Sequence, residues 1–148
     1  MTYDIHFQPV PADEAKSLKV YTFGFEAALK VRGPQALVNR WAKTFLTPLS
    51  SDPRDPGAGT EFARIIGGNF SLHSPEMQDV IVIAIEEAND QVRQQDLDGH
   101  YDADEMLETA TLKTLQVSSQ GDGIDVWIEI YNREDQRLTV YLANMGTR

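Results

Sequence analysis

Cysteine is absent from this chain, and histidine occurs only three times. Without cysteine, the protein can form neither a disulfide nor a thiolate metal site. His6, His73 and His100 are scattered and include no pair at the i, i+4 spacing that holds zinc on a helix. The sequence also lacks a G-x-x-x-x-G-K-[ST] phosphate loop and a G-x-S-x-G nucleophile motif. These absences argue against zinc, phosphate-loop and serine-hydrolase chemistry.

Basic residues and long apolar runs are also scarce. Lys and Arg together number 13 against 23 Asp and Glu, which gives a formal net charge of −10. A surface of this charge repels phosphate, so we expect no nucleic-acid partner. No run of about 18 apolar residues occurs, so we expect no membrane partner, and the N-terminal stretch does not look like a secretory signal. The 148 residues suit one domain whose partners are proteins or cations.

Two segments have the spacing of amphipathic helices. The first begins at Pro34, a good first-turn residue, and is expected to end near Thr47-Pro48, because proline disfavours helical geometry in the residue before it. The second begins after an N-cap at Ser74 and is expected to end between Arg93 and Asp96. Each carries an apolar stripe: Leu37, Val38, Trp41, Ala42, Phe45 and Leu46 in the first, and Met77, Val80, Ile81, Ala84, Ile85, Ala88 and Val92 in the second.

Outside the two helices, most of the predicted elements are strands. Tyr3–Val10 predicts a short N-terminal strand, and Asp13–Lys19 a loop or a turn of helix. After the second helix, three strands separated by turns are predicted over Thr111–Val117, Ile124–Tyr131 and Leu138–Ala143. The predicted fold class is α+β: two main helices packed on a C-terminal antiparallel β-meander, with a short N-terminal strand.

The order of these features resembles a known family. Lys30-Val31-Arg32-Gly33 leads into the first helix, and a loop rich in proline and glycine follows it. An acidic-aromatic pair, Glu61-Phe62, then precedes Ile65-Ile66, the second helix and the meander. Over residues 27–143 this order resembles the small baseplate wedge proteins of contractile phage tails, the sheath initiators, which are related to a baseplate subunit of type VI secretion machines. The family's Glu-Pro-Arg after the second helix is replaced here by Gln91-Val92-Arg93, and Ala63 stands where the family has glycine.

The resemblance implies a structural virion protein without enzymatic activity or cofactor. It implies an N-terminal arm (residues 1–26) before a sheath-initiator-like domain (27–148), assembled in the host bacterial cytoplasm and located in the tail baseplate. The expected partners are the tail sheath protein, other baseplate wedge subunits and tail tube proteins. The expected contact is β-augmentation, in which an open sheet edge receives an extended arm. The expected template is Arg137–Ala143 or its hairpin partner, Ile124–Tyr131.

Seven residues are candidates for partner contact. Arg93 is either the family's contact arginine or only the basic end of a helix. Trp127 and Tyr131 share the polar face of their strand, which is either covered by the first helix or exposed as an aromatic patch. The other candidates belong to the expected template strand: Arg137, Leu138, Val140 and Leu142.

Two alternatives use carboxylates. The stretch Gln94–Glu105 nearly matches an EF-hand calcium loop, which would make this a small calcium-responsive binding module. Its candidate ligands are Asp96, Asp98, Asp102 and Glu105, but Gln94 stands where the first aspartate belongs and no second loop occurs. The less favoured alternative is a muramidase, which needs an acid and a second carboxylate at a set separation. Glu61, Glu86, Glu87 and Glu108 are the residues considered for that role.

Overall fold

A computed structural model describes residues 7–10, 17–20, 32–65, 74–117 and 123–146. Its two α-helices are α1 (Pro34–Leu46) and α2 (Pro75–Asp98), and short 3₁₀ turns lie at Glu61–Arg64 and Ala103–Glu105. Within these ranges the strands are β1 (Phe7–Val10), β2 (Ser17–Val20), β3 (Leu107–Val117), β4 (Gly123–Asn132) and β5 (Arg137–Gly146). The predicted α+β class, with two helices on an antiparallel meander, is confirmed.

Local signals in the sequence define the helix starts. Pro34 and Pro75 occupy the first turns, and the Ser74 hydroxyl accepts a hydrogen bond from the Met77 amide. The predicted end of α1 is confirmed, whereas α2 continues beyond the expected end, to Asp98. The end of the helix is supported by hydrogen bonds from the Gln94 side-chain amide to the Asp98 carboxylate four residues on. Among the helices of the described ranges, none is long and apolar enough to cross a membrane.

The strands form one mixed sheet with the order β1-β2-β5-β4-β3. The meander β3-β4-β5 is antiparallel, as predicted, but β2 pairs in parallel with β5, Leu18 opposite Val140. The prediction of a loop or helical turn over Asp13–Lys19 is therefore wrong for residues 17–19. A strand of four residues has too few positions for a period to be read, and here its pairing partner lies far along the chain. The strands of the predicted N-terminal arm thus belong to the same sheet as the meander.

This order determines which strands have an open side. β5 lies between β2 and β4, and β4 lies between β5 and β3. The prediction that Arg137–Ala143 or Ile124–Tyr131 is the open template is therefore wrong, because β4 lies between two strands and the centre of the other segment, Thr139–Tyr141, pairs with both β4 and β2. Among the described strands, β1 and β3 form the edges of the sheet.

Both helices pack on one face of the sheet. The rings of Trp41, Phe45 and Phe62 stack in sequence, with centroids 4.9 Å and 4.4 Å apart. Side chains alternate across a strand, so the aliphatic positions of β4 join this core and Trp127 lies on the opposite face. The interpretation that α1 covers Trp127 is wrong, because α1 packs on the aliphatic face instead. The core side chains contributed by β4 are Ile124, Val126, Ile128 and Ile130.

Candidate functional site

The candidate site is the edge of β3 that faces away from β4. β3 has 11 residues and, within the described part of the chain, a single neighbouring strand. Such an edge presents unpaired backbone N–H and C=O groups, which can template pairing with another chain. The predicted strand covered only Thr111–Val117, so the structure extends the edge by four residues, from Leu107.

Side chains of α2 reach the backbone at the start of β3. Asn89 Nδ2 donates to the Ala110 carbonyl at 3.0 Å, and Arg93 Nη2 donates to the Glu108 carbonyl at 2.8 Å. The Leu107 amide donates to Asp96 Oδ2 at 2.9 Å. A β-bulge between Leu107 and Thr109 lets the backbone groups of Leu107 and Glu108 reach α2 from one side of the strand, the side to which the Ala110 carbonyl also points. Because α2 rather than β4 supplies the donors, we assign that side to the free edge.

A second β-bulge, at Lys113, shifts the pairing of β3 with β4 by one more residue. Before it, Leu112 pairs with Ile128; after it, Thr114 pairs with Trp127. The extra residue shifts by one the positions whose backbone groups face outward. Beyond the bulge, Leu115 and Val117 are therefore the residues whose N–H and C=O groups face the free edge.

Arg93, a predicted partner-binding residue, contacts its own chain. Besides the hydrogen bond to Glu108, its guanidinium lies 3.6 Å from the Asp90 carboxylate. Its side chain is still 43% exposed, so a partner can reach it. Its contact with a partner stays a prediction, and its contact with the edge is a role that the sequence did not indicate.

Trp127, Tyr131 and Arg137 lie together on the sheet face opposite the helices. The Trp127 ring stacks on Tyr141 with centroids 4.5 Å apart. Tyr131 donates its hydroxyl to Glu129 at 3.2 Å, and Arg137 lies 3.7 Å from the same carboxylate. The structure therefore places these three predicted residues on one face, half-buried or exposed. Tyr131 and Arg137 contact Glu129, and Trp127 contacts Tyr141.

The other template residues lie on the core side. Val140 is fully buried, Leu142 is 3% exposed and Leu138 is partly buried against the same cluster. The prediction that they contact a partner is wrong for Val140 and Leu142, since the helices already cover them. The alternation that suggested a template reflects packing against α1 and α2.

Glu129 makes the stability of this face depend on pH. The Lys113 ammonium, 3.1 Å away, lowers the pKa of Glu129 from its usual 4.5, and Tyr131 and Arg137 lower it further. A carboxyl whose pKa is lower when folded stabilises the protein above its unfolded pKa and loses that contribution as pH falls through the folded pKa. We therefore expect Glu129→Gln to show a shallower loss of unfolding free energy below pH 4.5 than the wild type, measured by urea unfolding. Equal slopes for both proteins would contradict this assignment.

The acidic stretch proposed as a calcium loop does not form one. Gln94 to Asp98 are helical, the last turn of α2. Asp96 is buried and faces Arg40 and the Leu107 amide, whereas Glu105 Oε1 accepts from the Gly33 amide at 2.7 Å. Asp102 is exposed at the start of the short turn Ala103–Glu105. Within the described ranges, no three acidic or histidine side chains converge as metal ligands would.

These residues instead surround Arg40, which the sequence placed off the apolar stripe of α1. Arg40 Nη2 lies 2.6 Å from Asp96 Oδ1 and donates to the Glu105 carbonyl at 2.6 Å. Its N–H is not aligned with Oδ1, so the Asp96 contact is an ion pair rather than a hydrogen bond. The guanidinium also lies 3.9 Å from the centroid of the Tyr101 ring. The stretch after α2 is thereby anchored to α1, and the start of β3 is held in place.

The carboxylates considered for a muramidase have other surroundings. Glu87 Oε2 accepts from the Glu61 amide at 2.9 Å, and Glu61 Oε2 pairs with Arg64. Glu86 and Glu108 are exposed. Gln91 lies one turn after Glu87 on the same side of α2. Its side chain donates to the Gly59 carbonyl and accepts from the Gly59 amide. Glu87 and Gln91 therefore hold the loop between α1 and Glu61–Arg64, a structural role.

Comparison of the chain with protein-family models, with curated proteins and with solved structures finds no match.

Proposed function

We propose that this protein is a structural subunit of a contractile phage tail baseplate. It links the baseplate to the first ring of tail sheath subunits by accepting a β-strand at the edge of β3. The observation that carries the proposal is the edge of β3, which has one neighbouring strand within the described ranges. The backbone groups of Leu115 and Val117 face outward there, beyond the α2 contacts. The resemblance in the order of sequence features supports the choice of partner.

The edge of β3 has features that limit pairing with unintended strands. Beyond the α2 contacts it carries exposed polar residues, Thr111, Thr114 and Gln116, and Lys113 lies at the bulge. Natural edges use bulges and lysines to prevent self-association. The net charge of −10 opposes pairing between copies of this chain and favours a strand that carries positive charge.

The proposal places the protein in the virion, at the tail baseplate, after assembly in the host bacterial cytoplasm. The tail sheath protein supplies the added strand. Other baseplate wedge subunits, and tail tube proteins, are the further partners. The half-buried aromatic face around Trp127 and Tyr141 is available for such contacts.

Sheath nucleation tests this function. A phage tail sheath protein is mixed with the purified protein, and polymer formation is followed by light scattering and electron microscopy. We expect a shorter lag and sheath rings that end on this protein. An unchanged lag with no complex on size exclusion would contradict the proposal.

A further inference from the structure

We infer that α2 closes one half of the β3 edge and leaves the other half to a short, basic and aliphatic strand. The closed half is Leu107–Ala110 and the open half is Thr111–Val117. The inference rests on the proposed strand addition at β3, and it adds where the strand pairs and what its side chains are.

In the closed half, side chains of α2 already hydrogen-bond to the backbone groups that an incoming strand would have to pair with. A strand pairing there would use the outward carbonyls of Glu108 and Ala110, which already accept from Arg93 and Asn89. Asn89 is 5% exposed and also accepts from Trp41 Nε1 at 2.9 Å. The Asn89 side chain cannot turn away from Ala110 without disturbing this second bond, so the Ala110 carbonyl stays occupied and unavailable to an incoming strand. At Glu108 it depends on the more exposed Arg93.

The spacing of the contacts between α2 and β3 places Val82, an aliphatic residue of α2, beside the open half. The contacts of Asp96 with Leu107 and of Asn89 with Ala110 show that α2 and β3 run in opposite directions. Val82 precedes Asn89 by two turns, about 10 Å along the helix, which corresponds to about three strand residues beyond Ala110. Val82 is 38% exposed and has no hydrogen-bonding group. It therefore offers an added strand an aliphatic surface rather than a competing donor.

Charge identifies the kind of strand that fits. Asp79 and Glu86 flank Val82 at spacings of three and four residues, on the same side of α2, and both are exposed. A strand whose aliphatic residue packs on Val82 therefore meets carboxylates on both sides. Lysine or arginine at neighbouring positions complements them, in agreement with the net charge of −10. The fitting partner is an extended segment in which aliphatic and basic residues alternate.

Amide hydrogen exchange by NMR, residue by residue, tests this inference. The probe is a blocked peptide of alternating valine and lysine, and the control peptide alternates valine and glutamate. In the wild type we expect the lysine peptide to slow exchange at Leu115 and Val117 roughly tenfold or more, with Glu108 and Ala110 unchanged. In the Arg93→Ala variant, the lysine peptide should slow amide exchange at Glu108 as well. Asp90→Ala removes the other partner of Arg93 but keeps the carbonyl bond, and it should behave as the wild type.

Each contrary result has a distinct meaning. Slowing at Glu108 and Ala110 in the wild type would show that the half is not closed, while strand addition at β3 would stand. Equal binding of the glutamate peptide would contradict the inference that the open half prefers a basic strand. Absence of slowing anywhere on β3, in both the wild type and Arg93→Ala, would overturn strand addition at this edge and this inference with it.

Discussion

Asp96→Ala is expected to lower the free energy of unfolding by about 3–5 kcal/mol, the usual effect of removing one partner from a buried ion pair. The Asp96 side chain is 1% exposed and pairs with Arg40, which is itself largely buried. The substitution leaves a buried guanidinium without its carboxylate and leaves the Leu107 amide without an acceptor. Urea unfolding followed by far-UV circular dichroism measures the change.

Asp102→Ala is the matched control, since this carboxylate lies in the same acidic stretch but is exposed. We expect its effect to stay within about 0.5 kcal/mol of the wild type. If Asp96→Ala proves too unstable to measure, Asp96→Asn replaces it. Asparagine keeps an acceptor for the Leu107 amide, so this variant should lose less free energy of unfolding. Equal stability of Asp96→Ala and Asp102→Ala would contradict the role assigned to the Arg40 ion pair.

Asn89→Ala is the second substitution with a large expected effect, about 3 kcal/mol, because two buried polar groups lose their partner together. The Trp41 indole N–H loses its acceptor, and the Ala110 carbonyl loses its donor. The same urea unfolding experiment measures the loss.

Trp41→Phe supplies the second arm of a double-mutant cycle, because it removes the indole N–H and keeps an aromatic ring. The coupling between the two substitutions should be about 1 kcal/mol or more. Strict additivity would contradict a direct bond between Trp41 and Asn89.

Much of the helical part of this fold is predictable from local sequence. Pro34, Ser74 and Pro75 define the helix starts, and the apolar stripes assign the faces that pack against the sheet. The alternation in β4 and β5 identifies two strands of the meander and their buried face. These signals are readable because each depends on residues within a few turns or one strand.

The candidate site is less predictable, because it depends on which strands become neighbours. The pairing of Ser17–Lys19 with Thr139–Tyr141 turns β5 into an internal strand, and no local pattern shows that partner. The sequence indicated Asp96 only as a candidate calcium ligand, because its partner Arg40 lies in the other helix and no local pattern connects the two. Asn89, a buried amide beside the apolar stripe of α2, is the one signal that could have indicated a fixed polar contact.

The same topology changes how the central claim has to be tested. If β5 were the template, a proline at Val140 would be expected to block strand addition. Val140 is fully buried and its strand is paired on both sides, so proline there would disrupt the sheet itself. Loss of assembly in such a variant would reflect loss of the fold.

The central claim is that a strand of the tail sheath protein pairs with the open half of β3. Its most direct test compares Leu115→Pro with Leu115→Ala in the sheath nucleation assay. Both substitutions remove the partly buried leucine, but only proline removes the outward-facing N–H. With both variants shown to be folded by circular dichroism, we predict that Leu115→Ala still shortens the lag of sheath assembly and that Leu115→Pro does not. Equal nucleation by the two variants would contradict strand addition at β3.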